Sequence, residues 1–132
     1  MRKLESLEAW VRSRELSRRA YRLTLAPPLS RHFSLADQIR RAATAIPANI
    51  AEGYALSTTP QFIRCLRIAL GSATQLQTHL DLAGEMELIR ANERAEAAAL
   101  CDQVIGLLIG LIRHLQRRDG NTLPCSPFPL PR

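Results

Sequence analysis

The sequence predicts an all-α protein, an antiparallel up-down-up-down four-helix bundle, and three observations carry that reading. No stretch of the 132 residues alternates apolar and polar side chains for long enough to make a strand. Four stretches instead repeat apolar residues at three-and-four spacing, which puts them on one side of a helix. The connections between these stretches are short, so the stripes are buried most economically against one another in antiparallel order. With 132 residues, 46% hydrophobic and 23% charged, the chain has the make-up of one globular core and no second domain.

The first helix is expected over about residues 4–25. Ala9, Trp10, Ser13, Leu16, Ala20, Tyr21 and Thr24 fall on its inner side, and Arg12, Arg14, Arg18, Arg19 and Arg22 on its outer side. It stops before Pro27-Pro28, because a residue preceding proline is pushed out of the helical region. The second, about residues 34–53, takes Ser34 as its cap, with Asp37 completing a variant of the capping box. Its inner face is Leu35, Ile39, Ala42, Ala43, Ile46 and Ile50. Pro47 lies inside the run, and the hydrogen bond it removes from the Ala43 carbonyl predicts a kink.

The third helix, about residues 58–84, opens on Thr58 as cap with Gln61 three residues on and Pro60 in the first turn, where an N–H is not needed. Its stripe is Phe62, Cys65, Leu66, Ala69, Ala73, Leu76, Leu80 and Ala83, and Gly84 allows the turn that follows. The fourth, about residues 92–116, points Leu100, Val104, Leu108, Leu111 and Leu115 inward. Its uncharged run, residues 104–112, is about half the ~20 residues a membrane span requires, so it reads as a core helix and no membrane contact is expected. Residues 1–118 thus form the bundle. Residues 119–132 form a separate tail with half of the eight prolines, which cannot continue a helix.

Eighteen Lys and Arg face twelve Asp and Glu, and the whole excess of +6 sits in residues 1–66. All the basic residues but Lys3 are arginine, whose planar fork suits phosphate and carboxylate. Arg12, Arg18, Arg19 and Arg22 of helix 1, with Arg40 of helix 2, are therefore candidate ligands for the phosphates of RNA or DNA. The alternative is a solvated arginine face with no partner. Aromatic residues are only 5% of the chain, so contact with the nucleic-acid backbone is expected over base stacking.

Gln38, Arg41, Ala45, Asn49 and Glu52 share one line on helix 2 and form a polar seam ending at Gly53. Glu52 lies at the negative end of the helix dipole, which predicts a compensating cation or set of backbone donors. The seam reads as a structural hydrogen-bond network or, less economically, as a ligand contact. Gly106 and Gly110 point away from the core stripe of helix 4, and Ile105, Ile109 and Ile112 widen its apolar arc. Together they predict a second contact surface and a homo-oligomer.

Catalysis finds no support in the motifs. His32, His79 and His114 are isolated, and leucine stands three residues before each of the last two, where di-iron bundles place glutamate. Cys65, Cys101 and Cys125 form no C-x-x-C and are expected as free thiols, so no metal, cofactor or catalytic residue is assigned. The first residues lack the apolar block of a secretory signal, and a cytoplasmic location is expected.

Two signatures carry a resemblance. The segment from Gln38 to Gly53, QIRRAATAIPANIAEG, and that from Phe62 to Ser72, FIRCLRIALGS, resemble the four-helix bundle proteins encoded in intervening sequences of bacterial 23S ribosomal RNA genes. Leu7-x-x-Trp10 and Tyr21-x-Leu23-Thr24 match as well, so the likeness covers roughly residues 4–116. It implies a left-handed bundle similar to the accessory protein of diversity-generating retroelements. That protein assembles as a five-membered ring and binds nucleic acid and a reverse transcriptase. By the same likeness Gln38, Arg41, Asn49, Glu52 and Gly53 occupy signature positions. Ala45 departs from a usual serine, and Tyr54-Ala55-Leu56-Ser57 replaces a loop that is commonly glycine-rich and basic. The expectation is a non-enzymatic, pentameric, nucleic-acid-associated accessory protein, with a pure protein-binding scaffold as the alternative.

Overall fold

The apolar stripe of each helix is wider than one neighbour can cover, and each helix packs on two others. The computed structural model describes Leu4 and residues 7–118. It contains α1 (Glu8–Leu23), α2 (Phe33–Ala55), α3 (Thr59–Glu85) and α4 (Ala91–Arg118), with a 3-10 turn at Leu29–Arg31. Among the described residues there is no strand. The principal contacts run α1 to α2, α2 to α3, α3 to α4 and α4 back to α1, which closes a four-helix bundle. Cross-helix partners fix the antiparallel order: Arg19 bonds Glu96 near one end of the α1–α4 pair, while Leu7 and Leu115 share a cavity at the other. The tail expected at residues 119–132 lies outside the described residues.

The core follows the predicted stripes. Leu16, Ile39, Ile46, Ile50, Leu66, Leu76, Leu80, Val104 and Leu108 are buried in one cluster, which Leu29 joins from the 3-10 turn. Three predicted details are corrected. Tyr21, assigned to the inner side, is 40% exposed: it stands in the last turn of α1, where its ring meets the charged Arg40 side chain and not the apolar core. Ser34 does not cap α2: the helix begins one residue earlier, at Phe33, as a continuation of the 3-10 turn. Asp37 is unavailable for a capping box, since its carboxylate pairs with Arg41 at 2.8 Å. On α4 it is Ile112, at 7% exposure, that enters the core, while Leu111 is only partly buried. Pro47 lies within α2, which continues two residues past Gly53.

Thr58 does cap α3, accepting a hydrogen bond from the Gln61 amide at 3.3 Å. At the other end the helix runs past Gly84, and the left-handed position falls on Glu87, with φ of 60°. The Leu88 amide donates to the Ala83 carbonyl (2.8 Å) and the Glu87 amide to that of Gly84 (3.0 Å), the bonding pattern of a Schellman turn. Leu88 is buried beyond it, so the apolar contact that usually accompanies this turn holds a non-glycine residue in place.

Cys65 and Cys101 are buried free thiols. Burial, with the nearby charges of Asp102 and Asp81, pushes the Cys101 thiol up to about 12. Because the folded thiol keeps its proton where the unfolded one loses it, its contribution to stability is present below pH 9 and is lost as the pH rises from about 9 to about 12. Native protein at pH 8 is therefore expected to leave Cys65 and Cys101 unlabelled by a thiol reagent, and denatured protein to expose both. Rapid labelling of either in the native state would contradict this packing.

Among the described residues α4 is long and apolar enough to cross a bilayer by length and composition, yet it packs along both α1 and α3 as a bundle helix does.

Candidate nucleic-acid interface

The outer face of α1 is an arginine ladder, and its members have different surroundings. Arg12 is held within its own helix, by Glu15 at 3.1 Å and Glu8 at 3.8 Å. Arg19 reaches across to Glu96 of α4 at 2.8 Å. Arg18 and Arg22 are exposed, and no ion pair engages them among the described residues. Arg40 departs from its predicted role. Its Nε donates to Thr24 Oγ1 at 2.7 Å and a terminal nitrogen donates to the Thr24 carbonyl at 3.2 Å, while the guanidinium lies over the Tyr21 ring at 5.2 Å. Thr24 is fully buried and its hydroxyl donates in turn to the Tyr21 carbonyl. Arg40 is thus a latch between α2 and the end of α1, its donors directed inward.

Two grooves flank the ladder and differ in charge. The groove between α1 and α4 is lined by Arg18, Arg19 and Arg22 but also by Glu15, Glu93 and Glu96, so its formal charges cancel. The shallow groove between α1 and α2, about 520 Å³, carries Arg14 and Arg18 and no carboxylate. Its floor is Thr44, Pro47, Ala48 and Ala51, the small face of α2, and Trp10 closes one end with Arg14 stacked over its ring at 4.7 Å. Arg14 stood outside the predicted phosphate set. The readable signal was its i,i+4 spacing to Arg18 and of Arg18 to Arg22, a ladder that places successive cations along one side of a helix.

The polar seam of α2 lies against α3. Gln38, Arg41 and Ala45 border an open cleft with Ser72, Gln75 and His79 across it. Asn49 Nδ2 donates to the Ala45 carbonyl at 2.8 Å, a bond within the helix. Glu52 is exposed, and neither a cation nor backbone donors meet its carboxylate among the described residues. The expected compensation is not formed, because a solvated charge does not require it. Gly53 is buried, and its missing side chain lets α2 and α3 meet: a Cβ there would lie 2.7 Å from Cys65 Cβ. On α4, Gly106 and Gly110 are exposed with open space around them, Ile105 packs partly on the core and Ile109 is half-buried. Ile112 is withdrawn from the predicted contact surface by its burial in the core.

Among the described residues no group of three or more His, Cys, Asp and Glu side chains is placed to hold a metal ion.

These features define an all-helical four-helix bundle protein with a basic first helix and a tight glycine contact between its second and third. The chain belongs to the 23S rRNA-intervening sequence protein family, whose sequence model matches residues 5–110. A crystal structure at 1.70 Å of a protein of unknown function from the S23 ribosomal protein family of Bacteroides thetaiotaomicron has a similar fold. That protein is 27% identical, with a TM-score of 0.74 over 80% of this chain and 98% of its own. No curated protein matches the chain.

Proposed function

We propose that the protein is a non-enzymatic, self-assembling bundle of the cytoplasm that associates with RNA or DNA through the α1–α2 groove. The observation behind this reading is the pairing of Arg14 and Arg18 along a groove whose lining holds no carboxylate. Phosphates entering there meet two cations without acidic competition, whereas the α1–α4 groove offers no net attraction. Arg22 extends the same ladder one turn further. The floor of small side chains admits a backbone but presents few groups that could read bases, so the binding is weakly sequence-selective.

Affinity for a structured RNA, measured by fluorescence anisotropy, is expected to be detectable at about 50 mM salt and to fall steeply by about 200 mM, with log–log slope near 0.9 per phosphate contacted. The double substitution Arg14→Glu, Arg18→Glu is expected to reduce the slope by about 2. An absence of RNA binding at the lower salt, or a slope untouched by the double variant, would count against the groove.

Self-association is placed on the outer face of α4, with a pentamer as the assembly suggested by family likeness. Gly106 and Gly110 leave that face flat and open, which lets a second copy approach closely. Gly110→Arg is expected to lower the mass seen by light scattering to that of one chain. Gly106→Ala with Gly110→Ala is expected to stabilise the helix by up to about 2 kcal/mol. A single-chain mass for the unsubstituted protein would refute the assembly.

The second reading, a protein-binding scaffold without nucleic acid, is favoured by Phe33, 82% exposed at the start of α2, and by the exposed Leu25 before it. The two readings separate on salt, since an apolar contact does not weaken as ions are added.

A further inference from the structure

At the end of the bundle where α1 begins and α4 ends, the side chains leave a cavity of about 260 Å³. Its walls include Tyr54, Leu56, Phe62, Leu111 and Leu115, and Arg118, the last residue of α4, stands at its edge. Tyr54 and Phe62 meet edge to face, their ring centroids 6.2 Å apart. Leu56 is partly exposed beside them. An aromatic-walled, mainly apolar recess of this kind is the usual seat for a proline-rich strand, whose polyproline II form has few degrees of freedom left to lose.

The sequence supplies such a strand at the same place. Residues 119–132 follow directly on Arg118. They open with Asp119-Gly120-Asn121, a combination that favours chain reversal, and continue as Leu123-Pro124-Cys125-Ser126-Pro127-Phe128-Pro129-Leu130. Pro124 and Pro127 have the P-x-x-P spacing, with Leu123 and Phe128 outside them. Pro124 lies six positions after Arg118, a reach of about 19 Å at ~3.1 Å per residue. That is ample for a recess whose edge is Arg118 itself. A tether this short holds the segment at an effective concentration of order millimolar, ahead of any free peptide of equal affinity. We infer that the Tyr54–Phe62 recess is the docking site for the chain's own Leu123–Phe128 segment, bound in cis.

Methyl NMR on the full-length chain tests this, with Leu56 and Leu111 reporting on the recess and Leu16 and Leu66 on the distant core. The variant Leu123→Ser, Pro124→Ala, Pro127→Ala, Phe128→Ser alters no residue of the described bundle core, so folding of the bundle is not at stake. The variant is expected to shift the Leu56 and Leu111 methyl signals and leave those of Leu16 and Leu66 in place. A synthetic peptide of residues 121–132, added to the variant, is expected to restore the original positions. Unchanged Leu56 and Leu111 signals in the variant would overturn the proposal. So would signals in the unsubstituted protein that move on dilution, because the occupant would then be the segment of a second copy.

Discussion

Replacing Gly53 with valine is expected to lower the unfolding free energy by about 3 kcal/mol, the upper end of the usual range for overpacking a well-filled core. A Cβ at this position would stand 2.7 Å from Cys65 Cβ, 2.9 Å from Phe62 Cδ1 and 3.3 Å from Phe62 Cα. The last of these is backbone, and the first is fixed one bond from the backbone of α3, so neither gives way by rotation of a flexible chain. The helices must part, and α2 and α3 form the most extensive contact in the bundle. Thermal denaturation is expected to show a fall of about 10 °C or more in Tm. Gly53→Ala should cost less, because alanine regains about 1 kcal/mol of helix propensity while meeting the same atoms. A Gly53→Val protein as stable as the parent would mean that α2 and α3 can separate there freely, contrary to the close approach.

Arg40→Met is expected to cost about 2–3 kcal/mol while leaving nucleic-acid affinity nearly unchanged. Two hydrogen bonds from the guanidinium reach Thr24, and bonds to a charged group contribute about 1.5–3 kcal/mol more safely as a set than as separate amounts. Methionine keeps the apolar stem but leaves Thr24 Oγ1 and the Thr24 carbonyl without this donor, in a residue that is fully buried. The contact over Tyr21 is lost with it. Denaturant unfolding and RNA titration on the same variant separate the two roles. Undiminished stability with weakened RNA binding would return Arg40 to the phosphate set.

The helices were legible because burial repeats along them. On α3 the predicted positions Cys65, Leu66, Ala69, Ala73, Leu76, Leu80 and Ala83 are buried, with Phe62 of the first turn partly so, since a helix covered on two sides repeats its apolar residues over many turns. Periodicity loses its hold at the margins. Tyr21 lies on the same line as Leu16 and Ala20, but near the end of α1 its ring meets the Arg40 guanidinium of α2 and stays 40% exposed. Leu111 and Ile112 are adjacent at the edge of the α4 stripe, and only packing of the helices decides that Ile112 is the one buried.

The basic face was legible in sign and not in availability. Charge composition placed the net positive excess in the first half of the chain, and helical spacing put five arginines on the outside of α1. Which of them are free depends partly on carboxylates of the same helix, as for Arg12, and partly on ones far away in sequence, as Arg19 and Glu96 show at a separation of 77 positions. Arg40 carries no local sign of its bond to Thr24, sixteen residues earlier, because that bond exists only once α1 and α2 lie side by side.

By itself, the sequence determined the four helices, their caps at Thr58 and before Pro27, the antiparallel order and the excess of positive charge. The helices and the Thr58 cap follow from residues within one or two turns of each other, where propensity, capping and periodicity operate, the antiparallel order from the short connections, and the charge from composition. Tertiary structure alone decided that Gly53 is a contact point, that Arg40 faces inward and that the α1–α2 groove, with Arg14, is the side free of acid. Those properties belong to pairs of helices, and a one-dimensional pattern holds no distance between residues on different helices.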